Sequence, residues 1–373
     1  MTVVVVAGAL ANKPGNGGEA WVRMSWVRGF EQLGLEVHFV EELAGEEPDP
    51  AAVRWFADVS ARFGLTGRAT LLHAGRATVG PPREELEAVA EGATLVNISG
   101  HLRAPNLMRA FRCRVMVDID PGFTQFWHEA GMTGANVAGH DLHFTIGELI
   151  GTPGCPIPTG GIEWRTVRPP VVLDDWPRMP PDELDRFTTI ASWRGPFGPV
   201  KHGGRTYGLK VHEFRRLIDL PVRSDQRFEI ALDIDPADDR DLDALRGHGW
   251  RIVDPRTVAG DPDAFRAYVQ GSGAEFSVAQ GVYVDTRCGW FSDRTTRYLA
   301  SGRPALVQDT GFSETLPVGE GLVAFRTLEA AAIGAADIAS RYTEHCEAAR
   351  GIAEEHFDAR RVLARFCEEA GIA

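Results

Sequence analysis

An α/β protein built of two doubly wound halves is what the sequence predicts, and three observations carry the prediction. Strand-like and helix-like stretches alternate through residues 1–168, the signature of right-handed βαβ units. A proline-dense stretch then interrupts them, with Pro169-Pro170, Trp176-Pro177 and Met179-Pro180-Pro181. The same strand–loop–helix order starts again at Phe187. The expected organisation is a first domain over 1–168, a hinge over 169–185 and a second domain over 186–345. Helices over 346–373 would be placed to pack back on the first domain. A chain of 373 residues is comfortable as two domains and long for one.

The elements follow in order. Thr2–Gly8 is a continuous valine-rich run, as a parallel strand buried on both faces requires. The loop Lys13-Pro14-Gly15-Asn16-Gly17-Gly18 leads into a helix over Glu19–Leu33 that stops at Gly34. Further strands are expected at Leu35–Val40, Thr70–His73, Thr94–Ser99, Arg114–Asp120 and Leu142–Ile146. In the second half they are expected at Phe187–Trp193, Phe228–Ile234, Trp250–Val253 and Ala305–Gln308, with a last helical region over Leu328–Ile372. In open sheets of this kind ligands sit beyond the carboxyl ends of the strands, so both halves are expected to turn their strand–helix loops to a shared cleft.

Composition narrows the class. The apolar content of 44% and charged content of 24% are those of a globular chain, and a net charge of −13 argues against nucleic acid and anionic membrane as partners. The apolar run Thr2–Ala9 is too short to span a bilayer and lacks the basic start of a signal peptide, so a cytoplasmic location is expected. Five scattered cysteines show no C-x-x-C spacing, and neither zinc nor a disulfide frame is indicated. Only three basic residues are lysines (Lys13, Lys201 and Lys210), and all lie in or beside glycine-rich segments.

The most informative stretch is Gly289–Gly311. It reads as a tight loop, a helix capped by Ser292 or Asp293, a glycine-ended C-terminus and a buried strand closing in a polar loop. Free N–H groups at that helix start, with Arg294 beside them, suit an anion. Asp293 also reads as a simple cap. Arg294 on a first turn opposes the helix dipole, which points to a compensating anion. On this reading, replacing Arg294 by alanine costs activity and spares the fold. Glu275 is the candidate acceptor for ribose hydroxyls. After the first strand of the second half, Trp193, Arg194, Lys201 and Lys210 are candidates for a diphosphate, against the alternative of a solvated loop. Gly17 and Gly18 read equally as a tight turn and as a close approach to a phosphate or sugar, since the G-x-G-x-x-G spacing is absent. Asp118 and Asp120 end one strand and Asp233 and Asp235 another. Asp120 as a general base is the better reading, with a metal pair the lesser one. Among the histidines at strand ends of the first half, His101 and His73 come first as bases for an acceptor hydroxyl.

These residues together resemble a GT-B type glycosyltransferase. The resemblance rests on Gly15–Gly18, on Thr188-Thr189-Ile190-Ala191-Ser192-Trp193-Arg194, and above all on Gly289–Gly311. It implies two Rossmann-like domains, with the second holding a nucleoside-diphosphate sugar (UDP, GDP or dTDP type) and the first a small-molecule or glycan acceptor. It implies hexosyl transfer without a metal or other cofactor, helix N-termini and cations stabilising the leaving diphosphate, and domain closure excluding water. One departure stands out: Arg297 lies where many relatives carry a glutamate. A nucleotide-sugar epimerase of the same fold, and a non-catalytic nucleotide-sugar-binding protein, are the alternative readings.

Overall fold

The computed structural model describes residues 2–45, 47–181, 183–195 and 197–372. Its contacts divide it into two compact units. Unit 1 comprises Met1–Gly147, Pro158–Val172 and Ala359–Ala373, and unit 2 comprises Glu148–Ile157 and Leu173–Asp358.

Unit 1 is built on a sheet of eight strands: β1 (Val3–Ala7), β2 (Glu36–Leu43), β3 (Ala69–His73), β4 (Arg76–Val79), β5 (Thr94–Ile98), β6 (Cys113–Asp118), β7 (Leu142–Thr145) and β8 (Trp164–Thr166). Their order is β4-β3-β2-β1-β5-β6-β7-β8, parallel throughout except for the antiparallel β3–β4 pair. The chain winds outward from β1 in both directions, so the strand order reverses between β1 and β5, and such a reversal is where open sheets of this kind form a crevice at the carboxyl ends of their strands. The helix Gly17–Gln32 packs beside β1. Asn16 caps it by accepting from the Glu19 N–H at 3.1 Å, and Gly34 (φ 79°) ends it.

The helix Ala359–Ala370 also belongs to unit 1 and lies against Gly17–Gln32. A Cβ at Gly29 would stand 2.5 Å from Leu363 Cδ1 and 3.0 Å from Ala359 Cβ, so a larger residue there would force Leu363 to shift. Phe366 completes the contact against Trp26 and Phe144, with ring centroids 5.3 and 4.5 Å away.

Unit 2 carries a parallel six-stranded sheet of β9 (Phe187–Ser192), β12 (Phe228–Asp233), β13 (Arg251–Val253), β14 (Ala274–Ser277), β15 (Ala305–Gln308) and β16 (Leu322–Phe325). A separate hairpin is formed by β10 (Val200–His202) and β11 (Arg205–Tyr207). The order β13-β12-β9-β14-β15-β16 reverses between β9 and β14, as in unit 1 between β1 and β5.

The boundary between the units falls inside the stretch 169–185, and that stretch is packed. Its residues through Val172 belong to unit 1 and those from Leu173 to unit 2, where Trp176 is fully buried edge-on to Phe265, 6.2 Å between centroids. The carbonyl of Pro180 accepts from Arg303 Nη1 at 3.1 Å. Burial of so large an aromatic outweighs the linker composition that the prolines suggest. The helices after residue 346 also do not act together, since Tyr342–His356 stays in unit 2 and only Ala359–Ala370 joins unit 1.

Candidate active site

The site in unit 2 is assembled at the carboxyl ends of β9 and β14. Alternation along β14 puts Glu275 and Ser277 on one face. From the helix Asp293–Ala300, capped by Ser292, Arg294 reaches back over that face. Its Nε donates to Glu275 Oε1 (2.7 Å), Nη2 to Ser277 Oγ (2.9 Å) and Nη1 to the Ile190 carbonyl (2.8 Å). The anion that compensates a cation on a first turn is therefore internal, the Glu275 carboxylate. This corrects the expectation of a guanidinium left free for a bound phosphate. Glu275 is fully buried, and its second oxygen, Oε2, has no hydrogen-bond partner among the described residues.

Beside this pair stands Lys210, the first residue of the helix Lys210–Arg216, whose N–H donates to Gln280 Oε1 at 2.7 Å. Desolvation, reinforced by the Arg294 guanidinium, pushes the Lys210 ammonium down to about 7 against the opposing pull of Glu275 and Asp293. Asp293 is engaged by Arg297, whose Nη1 donates to its Oδ2 at 2.6 Å and its carbonyl at 2.5 Å. Arg297 itself is fully buried, 5.9 Å from the centre of the Trp176 ring. Arg297, the departure from the resembled pattern, is thus a packing residue of this helix. The helix ends as its sequence requires: the Gly302 N–H (φ 70°) donates to the Leu299 carbonyl and the Arg303 N–H to that of Tyr298, a Schellman motif.

Three donor-site candidates take other places. Trp193 is buried against Phe214, and its indole N–H donates to Asp241 Oδ2 at 2.8 Å, so it is a core residue and does not line the crevice. Arg194 is half exposed and held by both oxygens of Asp238, at 2.6 and 2.5 Å. Lys201 is exposed on the β10–β11 hairpin, opposite Thr206. The loop after Arg194 still lies close to Lys210, since a Cβ at Gly195 would stand 3.5 Å from Nε2 of Gln280, the side chain that accepts from the Lys210 N–H.

In unit 1 the crevice between β1 and β5 is framed by loops that two neighbouring glutamates of β2 hold. Glu41, buried, accepts from the N–H groups of Leu10 (2.8 Å), Ala11 (2.5 Å) and Asn12 (2.9 Å). Glu42 Oε2 accepts from the N–H groups of Arg103 and Ala104, both at 2.9 Å. His101 follows β5 in the second of these loops. Burial, together with the charges of Arg23, Lys13 and Arg103, pushes its imidazole down to about 4. Gly17 and Gly18 open the helix that carries Arg23. Asp120 lies past the end of β6, its N–H bound to Asp118 Oδ1 at 3.0 Å. Asp118 is fully buried and accepts from Thr124 Oγ1, Gln125 Nε2 and Thr145 Oγ1 as well, which leaves it a structural role and none as half of a metal pair. His73 ends β3, beyond β2, with Nε2 3.0 Å from the Gly45 carbonyl. Asp235 caps the turn Pro236–Asp238. Sequence reading set Ser277 beside Glu275 without giving it a role, and missed Gln280, Glu41, Arg23 and Arg103. The Glu275-x-Ser277 spacing and the Glu19/Arg23 helical pairing were the available signals.

No protein-family model matches the sequence, and none of the curated proteins does. Solved structures do match along the whole chain, and they place it in the GT-B fold of two Rossmann-like domains. An alpha-glucosyltransferase in complex with UDP-glucose and DNA containing an abasic site is similar at 11% identity and TM-score 0.62, over 99% of both chains. Anabaena HepE in complex with UDP and glucose is similar at 9% identity and TM-score 0.57, over 100% of both. Sucrose-phosphate synthase from Thermosynechococcus elongatus is similar at 10% identity and TM-score 0.55, over 99% of this chain and 98% of that one. Among the described residues no helix is long and apolar enough to cross a membrane.

Proposed function

We propose that this protein is a glycosyltransferase that moves a hexosyl group from a nucleoside-diphosphate sugar, UDP-linked in the first instance, to a hydroxyl-bearing acceptor, without a metal. The observation that carries the reading is Lys210 beside the Arg294–Glu275 pair at the strand-order reversal of unit 2. Lys210 and the N–H groups at the start of the helix Asp293–Ala300 supply positive potential where charge develops on the leaving diphosphate. Arg294 and the buried Glu275 form the fixed ion pair beside which Lys210 stands, and Glu275 keeps the guanidinium in place under the site. In unit 1, His101 is the residue assigned to the acceptor hydroxyl, because it alone among His73, His101 and Asp120 follows a strand bordering the β1–β5 crevice. Solved structures of the same fold in complex with UDP or UDP-glucose support this donor class.

The test is to incubate the protein with UDP-, GDP- and dTDP-hexoses with and without candidate acceptors, in chelator, and to follow released nucleotide. Release that depends on acceptor and survives chelator supports the proposal. Interconversion of the sugar without release identifies an epimerase. Binding of free UDP in a thermal-shift assay with no turnover on any donor identifies a binding protein.

A further inference from the structure

The β1–β5 crevice of unit 1 is more cationic than a neutral hydroxyl acceptor requires. Lys13, Arg23 and Arg103 are all close enough for their charges to act on His101. The carboxylates nearby are already engaged: Glu19 pairs with Arg23, Glu41 holds three backbone N–H groups, and Glu42 holds two. Among the described residues neither Lys13 nor Arg103 forms an ion pair. Arg23 is 3% exposed, and its Nε has no hydrogen-bond partner. Its side chain lies over the end of β1, where a Cβ added at Gly8 would stand 3.0 Å from Arg23 Cγ and 3.4 Å from Nε. A buried donor without an acceptor, beside two unmatched cations, is costly unless something anionic completes it.

From this we infer that the crevice binds an acceptor bearing an anionic group, phosphate or carboxylate, held by Lys13 and Arg103 and completed by Arg23 Nε, with the acceptor hydroxyl at His101. The inference rests on the assignment of the acceptor to unit 1 made above and adds the acceptor's chemical class. It also gives the three cations a function. Unoccupied, they keep the imidazole neutral and a weak base; an anion that screens them raises its basicity as the acceptor arrives.

The experiment follows the imidazole signals of the full-length protein by NMR at pH 6, with His101 identified by its loss in His101→Gln. Glucose, glucose 6-phosphate, glucuronate and inorganic phosphate are titrated in turn. The expected result is that an anionic sugar moves the His101 signal and raises its pKa while glucose does not, and that the phosphate and glucuronate arms rank the two anions. Lys13→Gln and Arg103→Gln each weaken that binding about tenfold. A response to glucose equal to that of both anionic sugars, or an unchanged affinity in both variants, overturns the inference. Arg103 is exposed, so its variant reports even if Lys13→Gln is poorly folded. UDP affinity, measured on the same samples, separates the two ideas: loss of UDP binding sinks the donor reading, and loss of anion binding with UDP binding intact sinks only this one.

Discussion

The two units meet the same topological requirement with opposite charge arrangements. In each, the strand order reverses beside the first strand, and the loops after the two flanking strands frame a crevice. In unit 2 the crevice is organised by a buried ion pair, Arg294 with Glu275, and the titrating group beside it is Lys210. In unit 1 the carboxylates of β2 hold backbone N–H groups, and of the three cations around His101 only Arg23 has an ion-pair partner among the described residues, Glu19. A carboxylate that neutralises a guanidinium builds a rigid platform with one adjustable charge. A carboxylate spent on backbone leaves the guanidinium's field to act on its neighbours. Both arrangements shift a base downward, and they do so for different reasons: desolvation with one fixed cation in unit 2, desolvation with three cations in unit 1.

The contrast is broken most severely by Arg294→Ala. It strands the Glu275 carboxylate in the core, and a loss of about 3–5 kcal/mol in urea unfolding is expected. Arg294→Ala combined with Glu275→Leu should recover most of it. Wild-type stability in the single variant would show that the pair is not what organises the crevice. This replaces the sequence-based expectation that the fold tolerates the change.

Lys210→Met comes next. Turnover of the nucleotide sugar should fall about 10²–10³-fold, while the melting temperature holds or rises, because a desolvated amine is removed. His101→Gln should lower kcat about 10²-fold with little change in UDP affinity; an equal loss of both would place His101 at the donor instead. A smaller effect is a pH dependence. Lys210 titrates near 7 when free and higher beside a bound diphosphate, so binding takes up a proton above pH 7. UDP affinity measured by calorimetry should therefore fall as pH rises above 7, by at most about tenfold per pH unit, and Lys210→Met should abolish the fall. The smallest effect is that of Trp193→Phe, which loses one hydrogen bond to Asp241 and about 1 kcal/mol of stability, with UDP affinity unchanged.

Much of the fold was legible in the sequence. The valine run of β1, the glycine stops at Gly34 and Gly302 and the Ser292 cap are local signals, and the structure follows each. β14 was not legible as a strand, because Ala274-Glu275-Phe276-Ser277 puts a carboxylate where a buried parallel strand is apolar, and only the distant Arg294 makes that tolerable. Of the candidate site, Lys210, Glu275, Ser292, Asp293 and Arg294 come together. Trp193 and Arg194 are held instead by Asp241 and Asp238, and Lys201 lies on the β10–β11 hairpin, partners that spacing along the chain does not reveal.

By itself, then, the sequence determined the α/β class, the alternation of elements, the helix ends and the set of residues from which a phosphate site would be drawn, all properties set by neighbours within a turn or a strand. Tertiary structure alone decided that Arg294 is matched by Glu275, that Arg297 belongs to the core and that Lys210 and His101 titrate low. Those properties depend on desolvation and on charges brought close from distant parts of the chain, and a linear pattern does not encode such distances.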